Sequence, residues 1–290
     1  MTQLLGYKIL RPVGSSISWN VAAAVNRAGR VVALKTLNWP SRETLPPELV
    51  ELIHKLEQGP LADWASLTEE RIGSLVGLVD YDMRPILWLA VEFMPGGSLR
   101  DRIGWLSWSE LARLVADVAG TLSRLHIRGL SHLNVRPENV LFDTEGRPYI
   151  TDMGLLELDH WMLTHLTWEV IDPTVKIRAR IINYTPPEYI GRYTEAPDHR
   201  ADIYQLGVML YEATTGRLPF EGDILSLSRK VLEEKPRPPH EIRSDIPAGL
   251  SDIVLKAMDK DPDKRYDSAL EFKRELRAVL RSEARGGRGT

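Results

Sequence analysis

The chain has 290 residues, 43% hydrophobic and 27% charged, a balance that excludes a disordered or fibrous polymer and allows one large domain or two lobes. It has no cysteine, which excludes disulfide frameworks, thiolate metal sites and a cysteine nucleophile and favours a reducing cytosol. With 37 Lys and Arg against 40 Asp and Glu the net charge is −3, which argues against nucleic acid as a partner and for a specific small-ligand site.

The first ninety residues read as short strands at Tyr7–Pro12, Val21–Asn26 and Val31–Leu37, the last two joined by the turn-like Arg27-Ala28-Gly29-Arg30. Leu49, Leu52, Ile53 and Leu56 recur at helical spacing within Glu48–Glu57, and Gly59-Pro60 is expected to stop that helix. Strand-like runs return at Leu75–Tyr81 and Ile86–Phe93. The apolar stretch Ile86–Val91 is far too short to span a bilayer, and Met1–Leu10 lacks the charged start and apolar core of a secretory signal. Met94-Pro95-Gly96-Gly97-Ser98 then breaks the pattern, and apolar spacing becomes helical: Leu111, Leu114, Val115, Val118, Leu122 and Leu125 first, then Ile203–Thr215, Leu250–Met258 and Ser268–Leu280. Lys235–Pro247 reads as a connecting loop. The last ten residues, with arginines at 281, 285 and 288, read as a flexible basic tail, either solvated or leading toward a membrane span beyond this chain.

Lys35, in Val32-Ala33-Leu34-Lys35, sits on an expected strand, where burial would demand an anionic partner. Downstream, His132-Leu133-Asn134-Val135-Arg136-Pro137-Glu138-Asn139 is followed by Asp152-Met153-Gly154, then Pro186-Pro187-Glu188, Asp202-Ile203-Tyr204-Gln205-Leu206-Gly207 and Arg265. In order and spacing these resemble the motifs of the protein kinase family, in wording closest to bacterial Ser/Thr kinases. The resemblance covers residues 7–280 and implies an α+β, bilobal fold: an N-lobe at 1–91, β-rich with one main helix, a hinge at 92–97 and a mostly helical C-lobe at 98–280.

The same resemblance assigns ATP and Mg²⁺ as cofactors. Lys35 matches the lysine that holds the α- and β-phosphates, while Asn139 and Asp152 match the two metal-holding positions. Gly14 opens the phosphate loop. Val21 and Ala33 match the adenine roof and Leu141 its floor, Glu92 to Met94 the hinge, and Val91 the gatekeeper. His132 and Met153 match an apolar stack between lobes, Asp202 a brace under the His132 loop, and Glu188 with Arg265 a buried ion pair.

Several positions depart from the pattern. Asn134 stands where the family has its catalytic aspartate, and an amide cannot accept a proton near neutral pH. Arg136 replaces a lysine that meets the γ-phosphate, Ile181 a threonine, and Leu133 the arginine that pairs with a phosphorylated activation loop. Gly14 is the one glycine kept in the phosphate loop, and Trp19 stands at the third glycine position. The helix glutamate for Lys35 is open among Glu48, Glu51 and Glu57, with Leu49 in one alignment; Glu51 is preferred. Trp161 and Trp168 either pack the segment after Asp152 or form a partner surface. Together these departures imply a pseudokinase that binds ATP and works through a protein partner or another kinase. The alternatives are a slow or unconventional Ser/Thr protein kinase, and a nucleotide-free scaffold closed by Trp19.

Overall fold

The computed structural model describes residues 3–39, 45–84, 86–165, 174–190 and 198–286. Trp168 and Arg288 lie outside the described residues.

Strands β1 (Gln3–Leu4), β2 (Tyr7–Ser15), β3 (Trp19–Val25), β4 (Val31–Leu37), β5 (Leu78–Asp82) and β6 (Trp88–Glu92) form one antiparallel sheet in the order β1-β2-β3-β4-β6-β5. The β3–β4 turn closes because the Asn26 side chain accepts from the amides of Ala28 and Arg30, at 3.0 and 2.9 Å, and Gly29 takes the left-handed conformation. Pairing of Trp19 with Leu37, Val21 with Lys35, Ala33 with Val91 and Lys35 with Leu89 places these side chains on one face of the sheet. The other face carries a separate cluster of Tyr7, Ala24, Val32, Leu34, Trp88 and Ala90.

Helix α1 (Pro47–Leu56) packs its apolar stripe of Leu49, Leu52, Ile53 and Leu56 into the core. Contrary to the expected stop at Gly59-Pro60, the helical path continues through a π turn at Glu57–Leu61 into α2 (Ala62–Glu70). Pro60 has no N–H to give an α-helical bond, and the wider turn accommodates it while keeping Leu61, Trp64 and Leu67 buried on the same side. Trp64 is fully buried and its indole N–H donates to the Val76 carbonyl at 2.7 Å.

After β6 the chain turns at Pro95-Gly96-Gly97. Gly96 donates to the Phe142 carbonyl at 2.8 Å, and a Cβ on Gly96 would lie 2.7 Å from Phe142, so only glycine permits this approach. Helix α3 (Trp108–His126) starts at a capping box formed by Ser107 and Glu110. The hairpin β7 (Val140–Phe142) and β8 (Pro148–Ile150) follows, then α4 (Leu156–His165), α5 (Thr174–Tyr184), α6 (Arg200–Thr215), α7 (Ile224–Glu233), α8 (Pro239–Ile242), α9 (Ala248–Ala257) and α10 (Ala269–Gly286). Helix α6 is buried from Ala201 to Thr215 and forms the axis of the larger, helical lobe. Two expectations change here: the Lys235–Pro247 loop holds the short α8, and α10 runs on to Gly286, through the first part of the expected tail. No helix among the described residues is long and apolar enough to cross a membrane.

Candidate nucleotide site

The inner sheet face meets the helical lobe at the ends of β4 and β8. Lys35 is buried there and its ammonium pairs with the Asp152 carboxylate, which is buried as well. This answers the expectation of a Lys35–Glu51 pair with a different partner. Glu51 and Glu48 are exposed, Glu57 lies 3.7 Å from His54, and Leu49 is the fully buried residue of the four. Helix α1 therefore presents hydrocarbon to the core, and the carboxylate near Lys35 comes from the opposite lobe. Trp19 fills the space beside it: its ring is buried, with the Lys35 ammonium 5.6 Å from the ring centroid.

Val21, Ala33, Met94 and Leu141 are each half-buried, whereas Val32, Leu34, Val91 and Phe142 beside them are buried. Val21 and Ala33 share the face that carries Lys35. Gly14 is exposed, with open space where a Cβ would stand. The Glu92 carboxylate faces away from that surface, pairing with Arg30 and accepting from the Gly77 amide at 3.1 Å.

Below Lys35 lies the loop that follows α3. Asp202 is fully buried and accepts from the amides of His132 and Leu133, at 2.8 and 2.6 Å, and from His126 Nε2 at 2.8 Å. Burial raises its pKa, but these bonds and neighbouring charges leave it below the ordinary carboxylate value. The bonds hold Leu133 at a φ of 56°; Asp152, at 67°, is likewise left-handed, a conformation that costs of order 1–3 kcal/mol outside glycine. His132 is fully buried and burial pushes its imidazole down to about 4.

Asn134 is 2% exposed. Its side-chain N–H donates to the Asp152 carbonyl at 3.1 Å, while its Oδ1 is buried with no partner. Asn139 donates to the Asn134 carbonyl at 2.8 Å. Arg136 pairs with Asp159 of α4; burial lowers the guanidinium pKa, but Asp159, Glu138 and Asp152 outweigh that and raise it. Gly154, with φ 76°, packs so closely on the π turn that a Cβ would lie 2.2 Å from Pro60 Cβ. Ile181, on α5, is buried.

Arg265 donates to both Glu188 oxygens, at 2.8 and 2.6 Å. Its own side chain is fully buried, but that of Glu188 is 30% exposed, so the pair is less enclosed than expected. Trp161 is half-buried, 6.1 Å from the Trp39 ring and stacked on His165.

Two groups escape the sequence reading. One is Asp159, which reaches Ser18 and Arg136 at once. The other is a charged cluster in which Arg100 bonds Glu138 and both oxygens of Glu212, and Glu212 also accepts from Tyr184. Of Asp159, Arg100, Glu138, Glu212 and Tyr184, Glu138 alone belongs to a motif the sequence analysis singled out, and helical periodicity around Asp159 is weak.

Residues 7–275 match the protein kinase domain. The chain belongs to the protein kinase family. A probable serine/threonine-protein kinase of Clostridium perfringens is 29% identical over 279 residues, spanning 94% of this chain and 38% of that protein. PrkC, a serine/threonine-protein kinase of Bacillus subtilis, is 26% identical over 279 residues, with 94% and 40% spanned. Pkn3, a serine/threonine-protein kinase of Myxococcus xanthus, is 32% identical over 209 residues, with 69% and 37% spanned. The chain thus spans about two fifths of the length of these relatives.

Proposed function

We propose that this chain binds ATP with Mg²⁺ and is a serine/threonine protein kinase of low intrinsic rate, with the hinge at 92–97 dividing an N-lobe from a C-lobe. The similarity to serine/threonine kinases gives this reading more weight than the pseudokinase expected first from the departures in sequence. The observation that carries it is the convergence of Lys35, Asp152, Asn139 and Asn134 on one buried spot beside a half-exposed apolar face.

The donor set there suits a hard cation: the Asp152 carboxylate, the Asn139 amide oxygen and the orphaned Asn134 Oδ1 are all oxygens. Asp152 and Asn139 are the residues that would hold Mg²⁺, which when bound neutralises charge on the phosphate oxygens. Val21, Ala33, Met94 and Leu141 sandwich the base, and Lys35 passes from Asp152 to the phosphates as the site loads. Asn134 positions an acceptor hydroxyl through its free Oδ1 but takes no proton from it. General-base help is worth about 10²–10⁴ in rate, so its loss slows transfer without removing the contribution of positioning and charge.

The pseudokinase reading stands second, and the closed state of the site favours it: Lys35 and Asp152 neutralise each other, and the Trp19 ring is buried beside the Lys35 ammonium. In that reading the chain serves a protein partner or another kinase. Incubation with γ-labelled ATP and Mg²⁺ or Mn²⁺ separates the two. Slow transfer to the chain itself or to a generic substrate, absent in Lys35→Ala, supports the kinase; a ATP-bound protein with no transfer above the Lys35→Ala background supports the pseudokinase.

A further inference from the structure

Asp159 is 1% exposed, a carboxylate that burial penalises heavily unless charge and hydrogen bonds compensate it. Its compensation comes from two separate parts of the nucleotide site. Oδ1 accepts from the hydroxyl of Ser18, fully buried in the turn between β2 and β3, and Oδ2 accepts from Arg136 of the loop that carries Asn134. Ser18 precedes Trp19, whose ring faces the Lys35 ammonium, and the Asp152 charge acts on Arg136. The carboxylate therefore lies at the phosphate end of the site.

Two features mark it as an imperfect occupant. Arg136 Nε is buried and has no partner, so the Asp159 carboxylate engages the guanidinium through Nη2 alone and leaves one of its buried donors idle. A terminal phosphate, with three oxygens and more charge, would take the Ser18 hydroxyl, the Arg136 Nη2 and the idle Nε together. In addition, α4 is fastened from both sides: Lys55 bonds Glu157 at 2.8 and 2.9 Å and Trp39 lies against Trp161, while Arg136 grips from the helical lobe.

We propose that Asp159 is an internal stand-in for the terminal phosphate of the nucleotide, so that ATP displaces α4 and ADP does not. This rests on the nucleotide-binding reading above and adds to it a built-in competitor that sets the preference between triphosphate and diphosphate. The wild-type chain then binds ATP scarcely tighter than ADP, because the third phosphate must first evict a carboxylate.

The test measures binding of adenosine, ADP and ATP by equilibrium titration to the wild type and to Asp159→Asn, which keeps the shape and removes the charge. The ATP-over-ADP preference is expected to rise about tenfold or more in Asp159→Asn, with adenosine and ADP unchanged. Amide exchange on the wild type gives a second measurement that needs no variant: saturating Mg-ATP should speed exchange over residues 156–165, and Mg-ADP should leave it as in the free chain. An unchanged ATP-to-ADP ratio in a variant that still binds adenosine and ADP, or equal exchange with both nucleotides, overturns the role of Asp159 and leaves the nucleotide reading standing. Failure of every adenine compound to bind either protein overturns both.

Discussion

Acid should loosen the loop carrying Asn134 through one histidine. His132 is fully buried; burial is the largest influence on its imidazole and lowers it to about 4, while the charges of Asp202 and Asp152 act in the raising direction and His126 in the lowering one. In the unfolded chain the same ring titrates near about 6.5. Between those values the unfolded state holds more protons than the folded one, so the stability that His132 confers is complete above about pH 6.5 and is lost as pH falls toward the folded value. At about 1.4 kcal/mol per pH unit, the loss reaches about 2–3 kcal/mol by about pH 4.5, a large share of the roughly 5–15 kcal/mol that holds a domain folded. Urea unfolding of the wild type and of His132→Phe at about pH 7.5 and about pH 4.5 isolates this contribution from the carboxylates that titrate nearby, because both proteins share them. The variant is expected to gain about 2–3 kcal/mol relative to the wild type on going to the lower pH. A gap between the two proteins that stays constant across this range would refute burial as the force keeping His132 neutral.

Three further outcomes follow from the site. Asn134→Asp should raise phosphotransfer by no more than about 10², at the low end of what a general base provides, because Ile181 still lacks the hydroxyl expected beside it; recovery near 10⁴ in a labelled-ATP assay would show that hydroxyl to be immaterial. Gly154→Ala should destabilise by about 2–5 kcal/mol, combining a left-handed backbone with a Cβ driven into Pro60, as read from denaturant midpoints; a loss under about 1 kcal/mol would mean that the π turn yields freely. Arg265→Ala should cost about 3–5 kcal/mol in the same measurement, since it removes both bonds to Glu188 and abandons the carbonyls of Asp259 and Arg200.

The amino-acid order by itself determined the two lobes, most element positions and the motifs that bring Lys35, Asn139 and Asp152 together. Element positions are written in local periodicity, whereas the two lobes and the shared site were implied by the resemblance of the spaced motifs to those of the protein kinase family. The substitution at Asn134 was equally legible, because one residue type decides whether a proton can be accepted. Pro60 misled because a missing N–H signals a helix end only while the turn keeps α geometry; the π turn, favoured by a continuous buried stripe, removes that conflict. Which carboxylate meets Lys35 was decided by tertiary structure alone. The α1 glutamates point to water, and Asp152, 117 positions away in sequence, arrives through the packing of one lobe on the other. Asp159 follows the same rule: nothing in Leu156–His165 marks it out until the fold sets Ser18 and Arg136 on either side, where long-range burial turns an ordinary helical acid into the charge that closes the site.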